Sequence, residues 1–197
     1  MKFIEQITEF IPDNEAEENE KRVIISYIKK FPQDILLRDN EFAHMTSSAF
    51  IMNSKLDKVL FIYHKIYNTW TWTGGHADGD TDLFKIAMKE AREETGVINL
   101  KPLTNSMVTL DIIPVWSHVK NGKYICAHMH LNSTYIFIAD ENEKLILNED
   151  ETSDVRWISK DELDKHCNEP YILKIYNRIL RKAEGFRDDK IITVKMA

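Results

Sequence analysis

The spacing of apolar residues changes along the chain and divides it into regions of different period. From Phe3 to Phe31 the apolar positions are Ile4, Ile7, Phe10 and Ile11, then Val23, Ile24, Tyr27, Ile28 and Phe31, the three- and four-residue steps of a helix face. The run breaks at Pro12-Asp13-Asn14, where Asp13 or Asn14 can cap a second helix. Two amphipathic helices are predicted, packed on the rest of the protein or on a second copy of it.

From Ala43 onward the pattern shifts to short β-branched and aromatic runs: Met45 to Met52, Val59 to Tyr63, Val108 to Trp116, Tyr124 to Ala139 and Val155 to Ile158. These predict strands. Lys120-Asn121-Gly122-Lys123 carries the Asn-Gly pair of a tight hairpin turn, so strands 108–116 and 124–139 should pair antiparallel. Helical spacing returns in Thr81 to Thr95 and in Glu169 to Ala183, where Ile172, Ile175, Tyr176 and Ile179 share a face. This order favours an α/β protein in which helices sandwich a mixed sheet. The divisions are 1–38 as a helical extension, 39–185 as the main domain and 186–197 as a tail. The tail residues Ile191-Ile192-Thr193-Val194 are read as an edge strand or a subunit contact.

Composition narrows the function. A chain of 197 residues with 43% hydrophobic content supports one sizeable core. Its net charge of −6 leaves no excess of cations for a nucleic acid polymer. No apolar run reaches the roughly 20 residues needed to span a bilayer, and no signal-like segment opens the chain, so no membrane partner and a cytoplasmic location are expected. Cys126 and Cys167 lack metal-ligand or disulfide spacing and are read as free thiols, Cys126 as a core residue.

The candidate chemistry sits in Gly74-Gly75-His76-Ala77-Asp78-Gly79-Asp80-Thr81-Asp82 and the helix that follows. At about 100° per residue, Glu94 lies near +40° and Glu93 near −60° from Glu90, so three carboxylates share an arc of roughly 100°. They border the apolar positions Leu83, Phe84, Ala87, Met88 and Ala91, and repel one another unless a cation sits among them. A glycine pair before the helix permits close backbone approach, and Gly96 ends the helix. Loop, acidic helix and loop form a platform for a hard cation with oxygen ligands.

This segment resembles the Nudix box, a pattern of Gly, five residues, Glu, seven residues, Arg-Glu, an aliphatic residue, any residue, Glu-Glu, any residue, Gly and an aliphatic residue. With Gly75 and Gly96 fixing the register, Glu90, Ala91, Glu93, Glu94, Gly96 and Val97 fall on the family's positions. Lys89 stands where the family has Arg and Thr81 where it has its first Glu, with Asp80 and Asp82 on either side, which puts the supporting salt bridge of the box in question. His44-Met45-Thr46-Ser47-Ser48-Ala49, Trp70 to His76, His128-Met129-His130 and Glu151 to Trp157 extend the resemblance toward a bacterial subgroup, over roughly residues 38–160.

The resemblance implies a Nudix-type α/β/α sandwich and a hydrolase. Water attacks a phosphorus of a diphosphate bridge in a small nucleotide-type substrate, with Mg²⁺ or Mn²⁺ on Glu90, Glu93, Glu94 and Gly75. These three glutamates are the catalytic candidates, joined by Glu151 from the acidic loop Glu149-Asp150-Glu151; the general base is Glu93 or an acid of that loop. His44, His76, His128 and His130 are read as a second metal site or a clamp on phosphates, zinc being disfavoured for want of an evident fourth ligand. Trp72, with Trp70 and Tyr67, is read as a stacking platform or as core. A homodimer is compatible with the reading. The rivals are a diphosphate isomerase, for which neither cysteine has the local pattern, and a non-catalytic nucleotide-binding sensor.

Overall fold

The computed structural model describes residues 2–66, 68–120, 122–148 and 152–195. Helices α1 (Lys2–Glu9) and α2 (Glu15–Lys30) open the chain. Asn14, rather than Asp13, is the N-cap of α2, its side chain accepting the Glu17 amide. Strands β1 (Ala43–Asn53), β2 (Lys58–His64), β3 (Thr69–Thr71) and β4 (Thr73–His76) precede helix α3 (Leu83–Thr95). Then come β5 (Lys101–Pro102), β6 (Thr109–Val115), β7 (His118–Lys120), β8 (Lys123–Ile125), β9 (His128–Ala139) and β10 (Thr152–Ser159), with α4 (Leu163–His166) and α5 (Pro170–Lys195) closing the chain.

Strands β10, β2, β1, β9 and β5 lie side by side in that order, with β3 on β2, β4 on β1 and β6 on β9. The central pair, β1 with β9, is parallel and joins His44 to His130 through Asn53 to Ala139, whereas the other pairings are antiparallel. Every residue of β1 is buried. Alternate side chains explain this: Ala49 and Ile51 enter a core with α1, α2 and α3, while Phe50 and Met52 enter a second with α5. The mixed sheet sandwiched by helices thus agrees with the sequence pattern.

The expected antiparallel pairing holds, with β6 running against β9 from Thr109 opposite Thr134 to Val115 opposite His128. The turn carries its own small sheet, β7 with β8, closing on Lys120 opposite Lys123. Gly122 adopts a φ of 76°, and Asn121 lies outside the described residues. Cys126 is exposed and not the core residue expected, because it lies between this projecting hairpin and β9. The helix expected at Glu169 to Ala183 continues to Lys195, so residues 191–194 form no edge strand.

The N-terminal helices dock on the main domain through Phe3, Ile7, Ile24 and Ile28. Glu17 of α2 is fully buried, and its carboxylate receives Lys182 of α5 at 2.9 and 3.0 Å. It also pairs with Arg178 at 3.1 Å, which in turn contacts the buried Asp111 of β6. Burial pushes the Asp111 carboxyl up to about 6 against the lowering effect of Arg178. No described helix is long and apolar enough to cross a membrane.

Candidate active site

The site is built where β4 passes into α3. Asp82 caps α3 by accepting the Lys85 amide at 3.2 Å, and Gly96 ends it with a φ of 75°, its N–H donating to Arg92 O at 2.9 Å. Asp80 accepts the Asp82 amide at 2.9 Å, so the acids flanking Thr81 shape the helix entrance. Ser47 of β1 donates to Leu83 O at 2.7 Å and fixes the helix start to the sheet. The face expected to be apolar is displaced: Leu83, Ile86, Ala87 and Ala91 are buried, while Phe84 and Met88 are half-buried.

That rotation carries one acid inside. Glu94 is only 4% exposed, and its carboxylate accepts the Gly74 N–H at 3.0 Å. Glu90 is half-buried against Gly75, where an added Cβ would collide with its carboxylate carbon and lie 2.7 Å from Oε2. Glu90 and Glu94 line a cleft of about 320 Å³, whereas Glu93 sits on the exposed flank of the helix. Lys89, which stands where the family has Arg, keeps a positive charge here: its ammonium pairs with Glu90 at 3.1 Å and Glu93 at 3.0 Å. A cation already bridges two of the three carboxylates, so the platform accepts positive charge among its oxygens.

Four histidines gather in the same cleft. His44 of β1 lies opposite His130 of parallel β9, and His76 of β4 lies opposite Thr46, two residues beyond His44. His128 shares its strand face with His130. Ring centroids are 4.8 Å apart for His76 and His130, 5.0 Å for His44 and His76, and 5.1 Å for His128 and His130. Desolvation by burial, then the Arg38 charge, lowers His76 to about 3, and burial lowers His44 and His130 as well. The expectation that a fourth ligand is lacking is corrected by this convergence.

Trp72 also lines the cleft, but it is 9% exposed and packs edge-on against Tyr176 with centroids 5.1 Å apart. Trp70 is a core residue beneath Arg156. Tyr67 and the loop acids Glu149, Asp150 and Glu151 lie outside the described residues. Several cleft residues were not singled out by the sequence. Asn132 accepts the hydroxyls of Thr46 and Ser48, both at 2.9 Å, and burial raises the carboxyl of Glu169. Arg38 reaches Asp78 through two hydrogen bonds of 2.8 and 2.7 Å. No local motif marks these residues, since each depends on a contact distant in sequence or on the start of α5.

Residues 42–179 match the model of the NUDIX domain. Among solved structures, a NUDIX-family hydrolase from Clostridium perfringens is similar at 24% identity and a TM-score of 0.51, covering 70% of this chain and 96% of that one. An Ap4A hydrolase of C. elegans, solved as a binary complex, has 14% identity and a TM-score of 0.51 over 72% of this chain and 98% of its own. The E. coli dihydroneopterin triphosphate pyrophosphohydrolase has 11% identity and a TM-score of 0.52 over 70% and 95%. These likenesses speak to the fold. No curated protein matches the chain.

Proposed function

The chain belongs to the NUDIX domain family, and from that premise we propose that it hydrolyses a diphosphate linkage in a nucleoside diphosphate derivative or nucleoside triphosphate, by attack of water on phosphorus. One observation carries the reading: Glu90 and Glu94 face a single cleft, each set against the glycine pair that precedes their helix. Glu90, Glu93 and Glu94 would hold Mg²⁺ or Mn²⁺, with the Gly75 backbone beside them. A hard divalent cation supplies two things when bound there, a lowered pKa for water and neutralisation of phosphate oxygens.

The chain's own residues do the positioning. Glu94 is held on the cleft wall, rather than toward solvent, while it accepts the Gly74 amide. Lys89 holds Glu90 and Glu93 at a common distance, and screens their repulsion before a ligand arrives. Deprotonation of water falls to Glu93 or to Glu151, the acids carried by the family resemblance. Glu169 adds a cleft carboxyl whose raised pKa favours proton retention. Trp72 forms part of the apolar wall against which a base or sugar would lie.

The two free cysteines accord with a reducing cytoplasmic compartment, which belongs to the same proposal. A screen of nucleotide sugars, dinucleoside polyphosphates, ADP-ribose, coenzymes and oxidised nucleoside triphosphates, run with Mg²⁺ and read by phosphate release, tests it. Turnover of one class supports hydrolysis. Nucleotide binding without turnover on any member would replace it with the sensor reading.

A further inference from the structure

The hydrolytic reading leaves His44, His76, His128 and His130 without a task, although three separate strands deliver them to one place. One donor nitrogen from each ring lies within 4.8 Å of the others. The tautomers of two rings follow from their partners. His44 Nδ1 lies 2.9 Å from Asn40 O and His128 Nδ1 lies 2.8 Å from Cys126 O. A carbonyl only accepts, so each Nδ1 carries its proton, and the ring that binds a metal would do so through the Nε2 lone pair of its neutral form.

His44 Nε2 is buried without a hydrogen-bond partner, on a side chain 4% exposed. Leaving a buried polar atom unpaired is unfavourable, so this lone pair calls for a partner from outside the protein, a water proton or a cation. His128 Nε2 and His130 Nε2 are 3.2 Å apart. That separation is close to the edge of a tetrahedron, about 3.4 Å when metal–nitrogen distances are about 2.0–2.1 Å. A histidine–histidine hydrogen bond alone would account for this pair and still leave His44 unexplained. The nearby carboxylate of Asp78 is engaged by both arms of Arg38.

We propose that His44, His76, His128 and His130 form a site for one divalent transition-metal ion of the class that favours imidazole, distinct from the carboxylates of α3. Nitrogen donors select Zn²⁺, Fe²⁺, Co²⁺ or Ni²⁺ over Mg²⁺ and Ca²⁺, which favour oxygen. The carbonyls of Asn40 and Cys126 are the outer partners that fix two of the ligand rings. Two glutamate-lined and imidazole-lined halves of one cleft would then hold ions of different hardness. The histidine half needs no substrate and no catalytic turnover to be recognised.

The test uses the untagged full chain, stripped with chelator and titrated with Co²⁺ in excess Mg²⁺. One equivalent of Co²⁺ is expected to give visible ligand-field bands that Zn²⁺ abolishes and Mg²⁺ does not. His76→Ala and His130→Ala, at the half-buried rings, should each weaken binding by at least about 100-fold, since loss even of an outer partner costs about 10–100-fold. Glu93→Gln should leave the bands unchanged. X-ray absorption of the Zn²⁺-loaded wild-type protein should show three or four imidazole nitrogens, and decides the matter if a histidine variant fails to fold. Bands lost in excess Mg²⁺, bands retained in both folded histidine variants, or an oxygen-only shell around Zn²⁺ would overturn the site.

Discussion

The carboxylate of Glu94 accepts the backbone N–H of Gly74 at 3.0 Å, and this bond ties the last turn of α3 to the strand that precedes the helix. Its neighbour relationship is steric. Gly75 has no Cβ because the Glu90 carboxylate occupies the space one would need. The two glycines therefore set the position of two acids by different means, one by donating and one by making room.

Gly75→Ala tests the steric half. The added methyl meets the mobile end of Glu90 rather than backbone, so the side chain can move aside at little cost to folding. The expected outcome is a melting temperature close to wild type with turnover reduced by about 10-fold or more, as expected when a catalytic group is displaced by about 1 Å. Unchanged turnover would show that the position of Glu90 is immaterial.

Glu17 joins α2 to the main domain through Lys182 and Arg178. Glu17→Ala leaves both cations largely buried and without this carboxylate, a loss of about 3–5 kcal/mol for breaking a buried pair. In a protein of this size that corresponds to a fall in Tm of roughly 6–20 °C. Glu17→Gln, which can still accept hydrogen bonds, should fall between the two. Differential scanning calorimetry of the three proteins measures this, and identical transitions would mean that the extension is not held by the pair.

Acid should destabilise the metal-free protein through its histidines. The folded pKa of His76 is lowered to about 3 from 6.5, so between these values the unfolded chain binds more protons. The contribution of His76 is fully present above pH 6.5 and is lost as the pH falls from there toward 3. His44 and His130 shift in the same direction. Urea midpoints should therefore drop between pH 7 and pH 5, and His76→Asn should flatten that slope. A wild-type midpoint independent of pH over this range would contradict the assignment.

Much of this was legible in the order of residues, for identifiable reasons. Strands β6 and β9 and the two N-terminal helices announce themselves by period, and Glu90, Glu93 and Glu94 by fixed spacing from Gly75 to Gly96. The burial of Glu94 was not legible, because an acid becomes a core residue only when a donor such as the Gly74 amide is brought to it. The convergence of His44 with His130 depends on the parallel register of β1 and β9, which no local pattern encodes. The exposure of Cys126 was hidden as well, because nothing beside it in sequence marks the hairpin junction between β8 and β9 where it lies.

If the carboxylates of α3 hold a divalent cation for diphosphate hydrolysis, turnover depends both on the ion and on Glu94. Release of phosphate-containing product is followed for the wild-type protein and for Glu94→Gln, with excess chelator and again after Mg²⁺ is restored. Glu94→Gln preserves volume and helix propensity, so folding should survive. Wild type is expected to show no turnover in chelator and recovery with Mg²⁺. Glu94→Gln is expected to turn over about 10²-fold more slowly, or more slowly still, even with Mg²⁺, the scale associated with losing an acid–base or metal-holding group. Equal hydrolysis by both proteins, undiminished by chelator, would rule out metal-dependent hydrolysis at these carboxylates.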